Sequence, residues 1–460
     1  MPYADDLVMC HTSKFSNFNR RRINQDLVQL GNYCNEWKLT INTSKTVYSI
    51  FSSSPTVSKE TPVIEIQGKQ IQKEENPTYL GVTLDPKLTL NEQMKKLKKK
   101  AKGRLKLVKK LASTSWGADK TTLRQLYLGY VRSTMDYSLA LQSLSSPSTQ
   151  ESLEKIQNNA LRFISGAMKT TPTAACEIHT NVEPIRIRRE AAVVETVERL
   201  KRQEDKHPNR KIADTYNSTE RIKKKSIMSV ASKLKEKYTL PEERQPILLF
   251  DVNSNPSKNL ETPTVKQQLI EDIKKKDETV FLLSIALETI DTYPKGWIHI
   301  YTDGSASQGT TNAGYGSLVQ FPDGSRSDLY NSCGKFCSNY EAEATAISKS
   351  INFVAALFEN NTIPKTDLVI FSDAKSVLQA IDNANEKDLV IRNLSQDISN
   401  IITAHNVKVT LQWIPGHSNI PGNEKADMLA KQGAQCDQEN MSASMDTAKH
   451  IIRQKKESFG

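Results

Sequence analysis

Cysteine is scarce in this chain. Six cysteines are spread over 460 residues without the paired Cys-x-x-Cys spacing of a zinc site, and they are too sparse to build a disulfide scaffold. We therefore expect a reducing, intracellular compartment, and the sequence does not distinguish nucleus from cytoplasm. Cys333 and Cys337 are interpreted as bystanders.

Long apolar segments are also missing. No run of about 18 apolar residues suggests a membrane span, so no membrane is expected among the partners. The N-terminus lacks the basic, apolar and small-residue succession of a signal peptide. Because Met1 opens directly onto the motif-like Tyr3-Ala4-Asp5-Asp6, we interpret the start of the chain as a truncation.

Positive charge is present in excess. The chain has 63 Lys and Arg against 52 Asp and Glu, a formal net charge of +11. A cationic protein gains affinity for polyanions through counterion release, so nucleic acid is the leading partner class. The content of 37% hydrophobic and 25% charged residues is that of a globular protein, and the length predicts several domains of roughly 100–200 residues.

The apolar pattern changes three times along the chain. Residues 91–200 are predicted to be helical, because apolar residues recur three and four apart while lysines fill the other face. Residues 206–296 are polar and rich in charge runs and prolines, which favours a linker that leaves room for helices around 264–290. After residue 296 short strand patterns begin.

The last third of the chain predicts an α/β domain. Hairpin strands followed by alternating strands and helices indicate a mixed sheet flanked by helices. The predicted strands are Trp297–Thr302, Gly314–Val319, Asp328–Cys333, Leu368–Ser372 and Val407–Trp413, and the predicted helices are Asn339–Phe358, Ala374–Ala384, Leu389–Ala404 and Asn423–Gln435.

Two of these strands are predicted to end in an aspartate. Asp303 ends the first strand and Asp373 ends the apolar fourth strand. Ligand sites in open α/β sheets collect at the carboxyl ends of strands, so we expect both acids in one crevice. A further acid, Asp427, lies in the last helix, after a loop rich in glycine and proline that carries His417.

The helix after Asn339 offers two glutamates, and its period chooses between them. Glu341 and Glu343 lie about 200° apart on a helix of 3.6 residues per turn, so they cannot both face the sheet. Glu341 shares a polar stripe with Thr345, whereas Glu343 shares an apolar stripe with Ile347. Glu343 is therefore predicted to point inward.

The predicted cluster of four acids indicates a metal site. Converging carboxylates repel one another unless divalent metal neutralises them. Hard oxygen ligands suit Mg²⁺ or Mn²⁺, and a pair of such ions holds an attacking water and a leaving oxygen in line at a phosphorus. His417 has two interpretations: it moves a proton or assists product departure, or it is a solvated loop residue.

Four motifs surround these acids: Tyr301-Thr302-Asp303-Gly304-Ser305, Glu343 followed by Ala346-Ile347, Phe371-Ser372-Asp373 with Ser376, and Gly416-His417 through Asn423-Glu424-Lys425-Ala426-Asp427. Together they resemble type-1 ribonuclease H. The resemblance implies an endonuclease that hydrolyses the RNA strand of RNA–DNA hybrids with two ions of Mg²⁺ or Mn²⁺. It makes His417 the mobile-loop histidine, and it assigns the role of metal-binding catalytic acids to Asp303, Glu343, Asp373 and Asp427.

One feature of some cellular relatives is not evident. The basic protrusion with which they grip the hybrid has no counterpart between Asp388 and Asn406. We therefore expect other parts of the chain to take over substrate gripping.

A second set of motifs runs through the first 160 residues: Tyr3-Ala4-Asp5-Asp6, Trp37-Lys38-Leu39, Tyr79 to Asp85, and Leu153 to Asn158. Together they resemble the palm end and thumb of a jockey-like non-LTR retrotransposon reverse transcriptase, in which ribonuclease H follows the polymerase. The resemblance implies that the fingers and an upstream aspartate would precede Met1. Asp5 and Asp6 are then relic acids, and the alternative is a plain acidic turn.

The two resemblances divide the chain into five parts. These are a truncated palm remnant at 1–58, a thumb-like and mainly helical region at 59–205, a linker region at 206–295, the ribonuclease H domain at 296–438 and a tail at 439–460.

Two alternatives to hybrid cleavage remain open at this point. The first is a catalytically silent remnant that binds nucleic acid, and the second is polymerase activity once the missing N-terminal part is supplied. The lysine-rich helix around Lys95 to Lys110 is interpreted as a contact to nucleic acid, and the alternative is a solvated face. Residues 91–200 are expected to contribute binding and no chemistry.

Overall fold

The computed structural model describes residues 2–3, 6–112, 117–216, 225–247, 260–270, 279–383 and 388–459. The chain forms two units. Unit 1 comprises residues 1–194, 218–234 and 458–460, and unit 2 comprises residues 195–217 and 235–457. Asp5 lies outside the described residues, and Asp6 is exposed in a two-residue strand. Within the described ranges no helix combines the length and apolar character needed to cross a membrane.

Unit 1 is mainly helical, with small two-stranded sheets. Its main core joins apolar side chains of the helices Asn91–Lys110 and Pro147–Ser165 with those of the π-helix Tyr127–Arg132. The other helices are Ser16–Glu36, Pro55–Lys59, Lys120–Leu126, Ser133–Asp136, Leu139–Gln142 and Thr173–Thr180, and Ile185–Lys201 and Ile227–Tyr238 contribute residues to both units. The strands are Pro2–Tyr3, Asp6–Leu7, Val47–Tyr48, Glu65–Ile66, Lys69–Gln70, Gln72–Lys73, Thr78–Tyr79 and Val82–Thr83.

Unit 2 is built on one six-stranded sheet. We label its strands β1 (Thr264–Lys266), β2 (Ile298–Ser307), β3 (Thr311–Gln320), β4 (Arg326–Gly334), β5 (Leu368–Ser372) and β6 (Val409–Trp413). Its helices are α1 (Pro208–Thr215), α2 (Thr279–Asp291), α3 (Asn339–Glu359), α4 (Lys375–Asp382), α5 (Leu389–His405), α6 (Pro421–Gly433) and α7 (Met445–Phe459).

The sheet order is β4-β3-β2-β5-β6-β1. Strands β4, β3 and β2 pair antiparallel, whereas β2, β5, β6 and β1 pair parallel. One face packs on α3, α4 and α5, and the other face packs on α2 and α6. The predicted mixed sheet flanked by helices is confirmed, because both faces are covered and the central strands are buried.

A pair of strand glycines lets α6 lie directly on the sheet. A Cβ atom at Gly316 would overlap the backbone of Leu429 and Ala430, and one at Gly314 would overlap the backbone of Gly433. Any larger residue would lift the helix from β3. The close approach brings the helix that carries Asp427 against the strands that carry the other acids.

Two stretches outside the predicted α/β elements differ from expectation. Thr264–Lys266, inside the predicted linker and the expected helix around 264–290, forms the edge strand β1, and the helix α2 begins only at Thr279. The predicted tail contains the helix α7. Both elements are held by contacts with segments that lie far away in the sequence. Local periodicity does not encode such contacts.

Candidate active site

The register of two parallel strands brings Asp303 and Asp373 together. Thr302 on β2 pairs with Ser372 on β5. Asp303 and Asp373 directly follow these two residues, so they are neighbours at the end of the parallel pairing. Asp303 does not end its strand, contrary to prediction: β2 continues to Ser307 by antiparallel pairing with β3. Asp303 therefore lies where the parallel partner stops, and this leaves a crevice beside the longer strand.

Glu343 enters this crevice from helix α3. The helix packs tightly on β2, since a Cβ atom at Gly304 would overlap the backbone of Ala342 and Glu343. The Gly304 N–H also donates to the Glu343 carboxylate. The prediction from helix periodicity is confirmed, because Glu343 joins Asp303 in the crevice.

Glu341 has another role, which helix periodicity did not reveal. It forms a capping box with Ser338, whose side chain accepts from Glu341 N while the Glu341 side chain accepts from Ser338 N. The pattern Ser-x-x-Glu before an apolar run is the sequence signal for this role. Glu341 is also buried, although its stripe is polar, because helix α7 covers it.

Asp303, Glu343 and Asp373 form a compact carboxylate group. One oxygen of each lies within 4.8 Å of the other two. Burial, followed by the charges of Asp373 and Asp427, raises the pKa of Asp303 to about 8. Burial and then the charge of Asp303 raise the pKa of Glu343 well above its ordinary value, and burial raises the pKa of Asp373. The cost of ionising two buried acids and a half-buried one side by side is what a bound cation would remove.

Asp427 completes the acidic wall of the crevice from helix α6. It is close enough to Asp303 for its charge, and a hydrogen bond between the two side chains, to raise the pKa of Asp303. Lys431, one turn along the same helix, pairs with the Asp427 carboxylate at 2.5 Å and is itself 60% exposed. Asp427, beside the group of three carboxylates, is therefore paired with a cation of its own helix.

His417 and Asn423 approach the group from the loop before α6 and from its first turn. The buried Asn423 side chain donates a hydrogen bond to Asp373, which lowers the pKa of that carboxyl and partly offsets the effect of burial. The charge of His417 acts in the same direction. His417 is exposed and adopts a left-handed conformation with φ of 51°. The crevice thus has an imidazole at its edge that solvent reaches directly.

The donor set of the crevice fits a hard divalent cation. The buried Glu343 Oε2 has no hydrogen-bond partner among the described residues, so one carboxyl oxygen of the crevice is left without a donor. Carboxylate oxygens are the ligands that Mg²⁺ and Mn²⁺ prefer. Asp303, Glu343, Asp373 and Asp427 are the residues that could hold such ions.

Comparison with known proteins assigns residues 295–435 to a class. The family model described as RNase H matches residues 295–435. A ribonuclease H from Francisella philomiragia is 28% identical over 145 residues, which are 29% of this chain and 87% of that protein. Residues 295–435 form a ribonuclease H domain, and the predicted class of hydrolase is confirmed.

The wider relationship is to a transposon enzyme. The chain is 26% identical over 162 residues to the probable RNA-directed DNA polymerase from transposon BS of Drosophila melanogaster, and these residues are 35% of this chain. The chain spans only 18% of the length of that protein. The predicted resemblance to a retrotransposon reverse transcriptase that contains a ribonuclease H domain is confirmed.

Solved structures to which part of this chain is similar include two RNase H1 proteins. RNase H1 from the halophilic archaeon Halobacterium salinarum is 21% identical and covers 30% of this chain and 97% of its own, with a TM-score of 0.25. LC11-RNase H1 in complex with an RNA/DNA hybrid is 16% identical and covers 29% of this chain and 97% of its own, also with a TM-score of 0.25.

Proposed function

We propose that residues 295–435 hydrolyse the RNA strand of RNA–DNA hybrids in a reaction that requires two divalent ions, Mg²⁺ or Mn²⁺. The observation that carries the proposal is the group of three carboxylates within 4.8 Å of one another, with Asp427 beside it. The match of these residues to the RNase H family supports the same reaction.

The acids differ in exposure in this proposal. The buried Asp303 and Glu343 and the half-buried Asp373 would hold the ions together with Asp427, which is paired with an exposed lysine. Ions bound there supply Lewis-acid activation of a water molecule and of the phosphodiester. Asn423 orients Asp373 through its hydrogen bond, which also lowers the pKa of that carboxyl against the larger effect of burial.

His417 is proposed to move a proton at the edge of the site. Its exposed imidazole lies near Asp373, and imidazole is the side chain that ordinarily exchanges protons near neutral pH. Assistance to the departing product is the other task that this position allows.

A cleavage assay on a labelled RNA–DNA hybrid, with and without Mg²⁺, tests the proposal. The wild-type chain should cut the RNA strand only with Mg²⁺, and Asp373→Asn should lose roughly a hundredfold or more, because one ligand charge is removed while the shape is kept. Circular dichroism should show an unchanged fold. Wild-type cleavage by Asp373→Asn would refute the proposal, and hybrid binding without cleavage by the wild-type chain would favour a silent nucleic-acid-binding remnant.

A further inference from the structure

The C-terminal helix α7 is part of the packed structure of unit 2. Thr447, Ala448, Ile451 and Ile452 are buried and form one stripe of the helix. Helix α7 therefore has a buried face, and this face includes the buried hydroxyl of Thr447.

One carboxylate oxygen joins this helix to α3. Glu341 Oε2 accepts hydrogen bonds from Ser338 N and Ser338 Oγ, each at 2.8 Å, and from Thr447 Oγ1 at 2.7 Å. Thr447 N in turn donates to Ser444 Oγ at 3.0 Å. The first turns of α3 and α7 therefore share one buried hydrogen-bond network centred on Glu341.

The beginning of α7 is itself anchored by other segments of unit 2. The Ala443 carbonyl accepts from Gln245 N at 3.0 Å and from the fully buried Arg202 guanidinium, and Ala443 N donates to the Glu243 carbonyl at 3.1 Å. Thr447 therefore reaches Glu341 from a fixed position, because the residues just before it are held on both sides.

Glu343 lies two residues after Glu341, in the same turn of α3. Since a helix is stiff over one turn, the anchor at Glu341 determines where the Glu343 carboxylate stands in the crevice. We infer that Glu341 and Thr447 are positioning residues, which hold Glu343 at the distance needed for metal binding. The inference rests on the proposed function, in which Glu343 is a ligand.

Three variants of the full chain test this inference. Thr447→Val keeps the shape and removes the donor, Thr447→Ser keeps the donor, and Thr289→Val is a matched control. Thr289 on α2 is also buried, but its hydroxyl donates to the Ile285 carbonyl at 2.7 Å and accepts from Ile270 N at 3.3 Å, and neither partner is one of the acids. Two quantities are measured: Mn²⁺ affinity by titration calorimetry, and the Mg²⁺ concentration that gives half-maximal cleavage.

The expected result is a selective loss of metal binding. Thr447→Val should weaken Mn²⁺ binding roughly tenfold and raise the required Mg²⁺ concentration to a similar extent, as changes to the outer partners of metal ligands do. Thr447→Ser and Thr289→Val should match the wild type in both quantities. Unchanged Mn²⁺ affinity in Thr447→Val would overturn the inference. A wild-type chain that binds Mn²⁺ but does not cut hybrids would overturn the proposed function alone, because the variants would still report on Glu343 through Mn²⁺ affinity.

Discussion

Asp303 carries a large electrostatic penalty in the folded chain. Its pKa is about 8, against an ordinary value of 3.8, because it is buried beside Asp373 and Asp427. A carboxyl whose pKa is raised on folding contributes stability at low pH, where it is protonated in both states. That contribution is lost as the pH rises through about 8.

The first prediction concerns this penalty. Without metal, the thermal midpoint of wild-type unit 2 should fall between about pH 5 and pH 8, and Asp303→Asn should be the more stable protein at pH 8 by about 3 °C per kcal/mol of relieved repulsion. The asparagine imitates the protonated acid, so it removes the charge that the fold opposes. Differential scanning calorimetry of both proteins at both pH values measures the effect.

Addition of Mg²⁺ provides the control for this prediction. The wild type should gain stability at pH 8, since a ligand that binds only the folded state stabilises it, whereas Asp303→Asn should gain little. If the metal-free variant were less stable than the wild type at pH 8, the burial and repulsion of the Asp303 charge would not be what limits the stability of the metal-free protein.

At the scale of elements, the site depends on how closely helices approach the sheet. Helix α6 reaches β3 only because Gly316 has no side chain, and α3 reaches β2 only because of Gly304. These two contacts bring Asp427 and Glu343 to the strands from opposite faces of the sheet. The carboxylate group is thus a product of packing distances and not of one loop.

The second prediction tests the approach of α6 to the sheet. Gly316→Ala should lower the free energy of unfolding by about 1–3 kcal/mol, because its Cβ meets the backbone of α6 and the helix must move. Gly296→Ala is the matched control, since a Cβ there meets nothing within 4 Å. Urea denaturation of both variants measures the difference, and equal stabilities would contradict the packing argument.

At the scale of the whole molecule, one helix of unit 1 carries a dense group of positive charges. The helix Asn91–Lys110 buries its apolar stripe and exposes the lysines between those positions. Lys99, Lys102 and Lys106 are all exposed and lie three and four residues apart on one side of the helix. A face of this kind suits contacts with phosphates that do not depend on base identity.

The third prediction concerns the affinity of the chain for a hybrid. Changing Lys99, Lys102 and Lys106 to Gln should weaken binding and reduce the slope of log affinity against log salt by about 0.9 for each phosphate that is no longer neutralised. Turnover at saturating hybrid should stay unchanged, because the helix contributes no acid to the site. Fluorescence anisotropy at several salt concentrations measures the slope.

A matched control removes the same charge elsewhere. Lys295, Lys349 and Lys365 are exposed residues of unit 2, and two of them precede the amino ends of β2 and β5, opposite the acidic crevice. Their change to Gln should leave the salt slope nearly as in the wild type. Equal slopes for both triple variants would mean that net charge, and not the lysine-rich helix, sets the affinity.

The sequence by itself determined what depends on neighbours along the chain. The stripe shared by Glu343 and Ile347 predicted the inward acid, because side-chain direction repeats every 3.6 residues in any helix. The hairpin strands, and the apolar run Leu368–Ser372 among the helices that follow them, predicted the succession of strands and helices along the domain. The resemblance of the motifs to ribonuclease H implied the set of four acids.

Only the tertiary structure decided which distant segments meet. The segment Thr264–Lys266 is too short to show a period, and it forms a strand because β6, far along the chain, offers it an edge at Thr410 and the next two residues. Glu341 lies on a polar stripe and is nevertheless buried, because Thr447 donates to it from 106 residues further along the chain. Such pairings depend on the surfaces that the folded elements expose to one another, and those surfaces exist only after the elements have packed.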